Sequence, residues 1–118
     1  MQEYVLTIDL KDDPELIAKY KKHHEAVWPS VMEGLDEVGV RSMKIFLLGT
    51  RMFMMMTAVE EFEPERDFKR YLTLDPKNQE WEDLMGTFQQ VVPQAGPNEK
   101  WAAMEKVFDF EDQLKERS

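Results

Sequence analysis

The chain has 118 residues, no cysteine and a formal net charge of −9, which suits one domain covering residues 1–118 with a charged tail at 111–118. The lack of cysteine excludes disulfides, thiolate catalysis and cysteine-ligated metals, and the negative charge disfavours nucleic acid and anionic membranes as partners. Because the same charge disfavours an anionic substrate, we expect a neutral ligand. No apolar run approaches the roughly 20 residues that span a bilayer, and no signal peptide is recognisable, so we expect a cytoplasmic protein.

The first part of the chain predicts a strand followed by a long helical segment. Residues 3–10 alternate between apolar and polar side chains, which is typical of a strand. An acidic cap and a proline then open a helical pattern whose apolar residues recur every three or four positions from residue 14 to 38. Pro29 lies inside this pattern and predicts a kink or break near residues 27–29. Gly39 is expected to end the helix.

The next part predicts a β-hairpin. Residues 40–48 and 51–60 have strand character, and Gly49 and Thr50 between them fit a tight turn. The second strand is apolar on both faces, with Phe53, Met55 and Val59 on one face and Met52, Met54, Met56 and Ala58 on the other. A strand with one face in water alternates. We therefore expect this strand to be covered on both sides.

The last part predicts two helices and a final strand. The helices are expected at residues 65–74 and 77–91, a loop at 93–98 and the strand at 103–110. The resulting order, β-α-β-β-α-α-β, matches the ferredoxin-like split βαβ pattern. The sequence therefore predicts an α+β fold with a four-stranded antiparallel sheet and helices on one face.

The opposite face of this sheet predicts a second subunit. The helices cover one face, whereas the methionine-rich strand leaves the other apolar. A large apolar patch on a monomer marks an interaction surface. We expect a symmetric homodimer through the sheet face, which makes a dimeric α/β barrel.

The two histidines of the chain, His23 and His24, are the first candidates for chemistry. His24 lies on the apolar face of the predicted helix, one turn after Tyr20 and one turn before Trp28. A histidine on such a face is commonly a packed core residue. Aromatic neighbours with hydrogen-bonding groups also fit a polar pocket, and a pKa near 6.5 suits proton transfer. Adjacent histidines project in different directions and do not chelate one metal.

The segment from Tyr20 to Pro29 resembles the Y-x-x-x-H-x-x-x-W-P signature of the L-rhamnose mutarotase family. The hairpin, the stretch around Trp81 and the segment MEKVFDF fall where that family has its central strands, a tryptophan-bearing helix and its final strand. The resemblance implies a ferredoxin-like homodimer that interconverts the α and β anomers of a monosaccharide, a 6-deoxyhexose, without metal or cofactor. The enzyme class it implies is an isomerase.

The resemblance also implies the residues of the site. His24 matches the proton donor, and the substrate-binding residues are Tyr20, Trp28, Met43, Trp81, Glu82 and Trp101. Glu82 replaces the second residue of a tryptophan pair, and Met43 replaces a pocket tyrosine of the rhamnose enzymes. The chain's opening and the end around Trp101 are more similar to the L-fucose branch of the family. L-fucose is therefore the expected sugar, and L-rhamnose is the alternative.

The mechanism implied is acid–base ring opening, in which His24 protonates the ring oxygen. The opposing proton acceptor stays open among a tyrosine, a carboxylate such as Glu105, and water. Two other classes also fit the pattern, namely a dimeric-barrel monooxygenase or haem-degrading enzyme and a non-catalytic sugar-binding module. Absorbance after addition of haem distinguishes the first, and anomer exchange at the solvent rate distinguishes the second.

Overall fold

The computed structural model describes residues 1–117 and has an α+β architecture, as predicted. Its elements are β1 Gln2–Leu10, α1 Pro14–His23, α2 Pro29–Val38, β2 Val40–Leu48, β3 Arg51–Ala58, α3 Pro64–Leu74, α4 Pro76–Gly86, β4 Gln89–Gln90, β5 Ala102–Ala103 and α5 Phe110–Arg117. No helix within residues 1–117 has the length and apolar character needed to cross a membrane.

All strand pairs in the sheet are antiparallel, in the order β2-β3-β1-β4, with β5 also paired to β1. β1 pairs with β3 from Gln2 opposite Ala58 to Asp9 opposite Arg51. Gly49, with φ of 62°, adopts the left-handed backbone that the tight turn between β2 and β3 requires. The hairpin and the ferredoxin-like sheet are confirmed, with two short strands completing one edge.

The helices cover one face of the sheet and form the core with it. On β3 the buried side chains are Met52, Met54, Met56 and Ala58, none more than 7% exposed. Burying each methionine side chain contributes about 1.5–3 kcal/mol to stability. The alternate residues Phe53 and Met55 face the other way and are 43% and 51% exposed. One face of the sheet is therefore packed in the single chain, and the other stays open.

The long helical pattern is divided into two helices, as Pro29 predicts. α1 ends at His23, His24 is its C-cap, and the helix resumes at Pro29. Proline is favoured at the first position of a helix because its missing N–H would have no partner there. Gly39 ends α2 with φ of 110°, as predicted.

The prediction that the last long helix extends to residue 91 is wrong. α4 ends at Gly86, and Gln89 and Gln90 then pair with Leu10 and Asp9 as β4. The side chain of Phe88, 5% exposed, turns into the core. The edge of β1 has backbone groups that need hydrogen-bond partners, and this demand overrides the helical spacing.

The predicted strand at 103–110 is also wrong. Only Ala102 and Ala103 pair with β1, and the backbone N–H of Met104 makes one further bond to the carbonyl of Val5 at 2.9 Å. Beyond that point the apolar side chains are exposed, with Phe108 at 61%. The alternation of these side chains predicts a buried strand face, but no layer formed by residues 1–117 covers such a face.

Residues 111–117 of the charged tail are helical and lie at the surface. The Asp109 carboxylate accepts a bond of 3.0 Å from the backbone N–H of Asp112 and thereby caps α5. Phe110 is consequently the first helical residue, and α5 buries no side chain. The last predicted tail residue, 118, lies outside the described residues.

α2 packs closely on α3 and α4 at Gly34. A Cβ atom at this position would lie 2.8 Å from Asn78 Nδ2 and 2.9 Å from Tyr71 Cδ1. Asn78 is fully buried, and its Nδ2 donates a hydrogen bond of 3.0 Å to the carbonyl of Tyr71. The absence of a side chain at Gly34 therefore sets the distance between the helices, and α4 carries Trp81 and Glu82 in its next turn.

Candidate active site

A groove of about 1510 Å³ lies between the helix-covered face of the sheet and the helices. Of the residues predicted for the site, it is lined by Tyr20, His24, Met43, Trp81, Glu82 and Trp101. Ligand sites commonly have volumes of roughly 300–1,000 Å³. The groove of the single chain therefore has ample room for a monosaccharide.

Trp28 is the predicted substrate-binding residue that does not line the groove. Its ring packs edge-on against Trp81, with 5.1 Å between ring centroids. Trp28 therefore packs against a residue of the groove without lining the groove itself. Glu105, one of the candidate proton acceptors, also lies outside the groove and is exposed.

The backbone fixes the protonation geometry of His24. Nδ1 lies 2.9 Å from the carbonyl oxygen of Tyr20, one helical turn earlier. A carbonyl only accepts, so Nδ1 carries the proton and Nε2 of the neutral ring keeps its lone pair. Burial lowers the pKa of His24; the hydrogen bond with the Tyr20 carbonyl acts in the opposite direction, and the charge of His23 acts with burial. The groove therefore contains a neutral imidazole at pH 7.

Aromatic rings hold the His24 ring in place. The Tyr20 ring stacks on it at 4.3 Å, with 29° between the planes, and Trp81 packs edge-on at 5.5 Å. Tyr20 and Trp81 are only 5% and 7% exposed, so both supports are fixed in the core. His23 does not line the groove, and the centroid of its ring lies 5.7 Å from the ring centroid of Phe88.

Two neutral phenols border the groove. Burial raises the pKa of Tyr20 to about 12, the negative charge of Glu82 contributes, and a hydrogen bond with Gln89 acts in the opposite direction. Burial and the charge of Glu82 likewise raise the pKa of Tyr71 to about 12. Both phenols keep their protons at pH 7 and can donate hydrogen bonds.

Sequence reasoning missed Lys100, Gln89 and Tyr71, which also line the groove. Lys100 Nζ lies 3.0 Å from Glu82 Oε1, across 18 residues of sequence. Lys100 belongs to an irregular loop, where no periodicity indicates the direction of a side chain. The one signal was Glu82 itself, a carboxylate at a position where the resemblance implies an indole.

The side chains of the groove can transfer protons and offer apolar surface to a ligand. The neutral imidazole of His24 is a base, the Tyr20 phenol is a donor, and Trp81 and Trp101 offer flat apolar surface. In residues 1–117 no three histidine or acidic side chains are close enough together to hold a metal ion.

Comparison with known proteins relates this groove to one family. The family model described as L-rhamnose mutarotase matches residues 3–110. A UPF0734 protein of Dictyostelium discoideum is 43% identical over 93% of this chain and 90% of its own length. An L-fucose mutarotase of Xanthomonas campestris pv. campestris is 38% identical over 92% of this chain and 87% of its own. The crystal structure of an L-rhamnose mutarotase from Formosa agariphila is 21% identical and superposes with a TM-score of 0.65 over 92% of this chain and 98% of that one.

Proposed function

Because this chain belongs to the L-rhamnose mutarotase family, we propose that it interconverts the α and β anomers of a 6-deoxyhexose and that its substrate is L-fucose. As a family member it is a sugar mutarotase of the L-fucose or L-rhamnose type, and therefore an isomerase. Family membership does not favour the monooxygenase alternative. The 38% identity to an L-fucose mutarotase supports the choice of L-fucose. L-rhamnose is less favoured because Glu82 lines the groove at a position where the resemblance to the rhamnose enzymes implies an indole.

The observation that carries the catalytic proposal is the state of His24. Its Nδ1 proton is committed to the Tyr20 carbonyl at 2.9 Å, and its pKa is lowered by burial. A neutral imidazole accepts a proton before it donates one. We therefore assign His24 as the base that takes the proton of the anomeric hydroxyl, instead of the donor to the ring oxygen that the resemblance implies.

Ring opening then proceeds with balanced protons and electrons. The O–H electrons of the anomeric hydroxyl form the aldehyde C=O as its proton moves to His24 Nε2. The bond between the anomeric carbon and the ring oxygen breaks, and the ring oxygen takes a proton from the neutral phenol of Tyr20. Rotation about the exposed carbon and reclosure by the reverse steps give the other anomer. Such acid–base catalysis contributes roughly 10²–10⁴-fold.

Anomer exchange across a sugar panel tests the function. Saturation-difference NMR with L-fucose, L-rhamnose, D-galactose and D-ribose is expected to show enzyme-dependent exchange, fastest with L-fucose. If L-rhamnose exchanges faster than L-fucose, then L-rhamnose is the preferred substrate, and the assignment as a mutarotase still holds. Exchange of every sugar at the solvent rate would contradict catalysis and leave a binding module.

We also propose that the open sheet face forms a homodimer. Its exposed apolar side chains are Val5, Phe46, Leu48, Phe53 and Met55. Patches of this kind on soluble proteins are commonly covered by a partner. The symmetric solution is a second copy that packs sheet against sheet.

Sedimentation of a charged variant tests the dimer. Phe46 and Phe53 lie opposite each other on neighbouring strands, so the double variant Phe46→Glu/Phe53→Glu is expected to sediment as a monomer where wild type sediments as a dimer. Met32→Glu, at an exposed site on α2, is the control and should remain dimeric. A wild-type monomer at micromolar concentration would contradict the proposal.

A further inference from the structure

We propose that Lys100, paired with Glu82, selects the sugar by hydrogen-bonding two adjacent ring hydroxyls, with Lys100 as donor and Glu82 as acceptor. This inference rests on the proposed function, since it adds a specificity-determining residue to the same groove. Both residues line the groove, and Glu82 directly follows Trp81 in α4.

The pair has hydrogen-bonding capacity left for a ligand. Lys100 Nζ donates to Glu82 Oε1 at 3.0 Å, and the two side chains are 52% and 37% exposed. An ammonium group has three donors and a carboxylate has several acceptor positions. Since Lys100 and Glu82 share one hydrogen bond with each other, the other donors of the ammonium and acceptors of the carboxylate are available to a ligand in the groove.

The surrounding structure positions Lys100. The Glu99 carboxylate accepts bonds from the backbone N–H groups of Gly96 at 2.9 Å and Ala103 at 3.4 Å, which closes the loop around Lys100. The two residues after Lys100 are anchored, because Trp101 packs against the core and Ala102 is 4% exposed in β5. The backbone from which the lysine extends is therefore held at both ends.

The end of α4 favours the ammonium group. Lys100 Nζ lies 3.7 Å from the place where a Cβ on Gly86 would stand. Gly86 is the last residue of α4, and the C-terminal end of a helix attracts cations. The ammonium is thus held by the helix end and by Glu82 together.

The Lys100–Glu82 ion pair is expected to add little to the stability of the fold. Ion pairs as exposed as this one contribute little to folding. A sugar that displaces water from the groove would strengthen the same contacts, because hydrogen bonds to charged groups are stronger away from water. A donor and an acceptor at 3.0 Å match two neighbouring hydroxyls held gauche on a pyranose, and do not match a trans-diaxial pair.

The pair acts mainly on recognition, since neither residue gives or takes a proton in the ring-opening step. Lys100→Met and Glu82→Gln are therefore expected to raise KM for the preferred sugar by about 10- to 100-fold, the loss typical of one hydrogen bond to a charged group. The effect on kcat should be smaller. Monodeoxy analogues that lack the contacted hydroxyl should show no further loss in the variants.

Two further proteins separate sugar recognition from a structural role. Lys106→Met removes a comparable exposed ion pair, with Asp109 at 2.9 Å, and should leave KM unchanged. Lys106 does not line the groove. The charge-swapped protein Glu82→Lys/Lys100→Glu restores the ion pair but exchanges donor and acceptor. Since so exposed a pair contributes little to folding, this protein should fold with a thermal stability close to that of wild type, but it should not regain the wild-type sugar preference.

The outcomes distinguish this inference from the proposed function. Wild-type anomer exchange with an unchanged KM and sugar preference in Lys100→Met would overturn the inference and leave mutarotation intact. Restoration of preference by the charge swap would also overturn it. If wild type does not accelerate exchange, mutarotation fails. The pair is then tested by titrating the protein with sugar and following its tryptophan fluorescence. Lys100→Met should raise the Kd for the sugar; an unchanged Kd, or no binding by wild type, would overturn the inference.

Discussion

Replacing His24 with glutamine is expected to lower the rate of anomer exchange by about 10²–10⁴-fold, the usual contribution of a general acid–base residue. Glutamine fills a similar volume between Tyr20 and Trp81, so the fold should be retained. It has no group that accepts and returns a proton near neutral pH. Saturation-difference NMR at saturating sugar measures the loss, and circular dichroism checks the fold.

His23→Gln provides the matched control for that variant. The side chain is adjacent in sequence but does not line the groove, so exchange should stay near the wild-type rate. Equal losses in both variants would indicate a structural effect of this segment. Undiminished exchange in a folded His24→Gln protein would remove His24 from the mechanism.

The pH profile distinguishes a base from an acid at His24. Burial lowers the pKa of this residue, so its neutral form predominates from below the ordinary value of about 6.5 upward. If His24 begins as the base, kcat rises as pH increases through the lowered pKa and is level at pH 7. A rate that instead falls as pH rises through this region would assign the protonated form and return His24 to the role of donor.

Gly34→Ala is expected to destabilise the protein by about 1–3 kcal/mol, the cost of overpacking a well-packed contact. The added carbon would lie 2.8 Å from Asn78 Nδ2 and 2.9 Å from the Tyr71 ring. Neither can retreat easily, since Asn78 is fully buried and Tyr71 is 6% exposed. Urea unfolding, followed by circular dichroism, measures the change in free energy.

Gly86→Ala is the control for Gly34→Ala, because both glycines are helical. A Cβ at Gly86 meets only the flexible end of Lys100, at 3.7 Å. Alanine is the better helix former by up to about 1 kcal/mol, so this variant should be as stable as wild type or slightly more stable. Similar destabilisation of both variants would mean that the contact at Gly34 is not the cause.

The sequence predicts those parts of the fold in which local chemistry determines the backbone. Pro29 marks the break between two helices, Gly39 ends the second, and the alternation in β3 separates packed methionines from exposed side chains. In the site, Tyr20 and His24 meet because residues four apart on a helix share a face. Each of these depends on neighbours in sequence.

The remaining features depend on contacts between distant segments. Gln89 leaves a helical pattern because the edge of β1, far away in sequence, needs hydrogen-bond partners. Lys100 reaches Glu82 from a loop that is anchored by the pairing of β5 with the distant strand β1. The segment after Ala103 has strand periodicity, but periodicity does not reveal whether a covering layer exists. Such features follow from tertiary structure, which the pattern of a single segment does not contain.

The hydrogen bond from His24 to the carbonyl of Tyr20 has a consequence for how the enzyme can change during evolution. The acceptor is a main-chain atom, so substitution of the Tyr20 side chain leaves the acceptor atom itself in place. The groove residues that we propose to recognise the sugar, among them Met43, Glu82 and Lys100, would act through their side chains, which can change without altering that main-chain acceptor. Under the proposed function, the sugar preference can therefore change during evolution by substitutions in the groove while His24 keeps its tautomer.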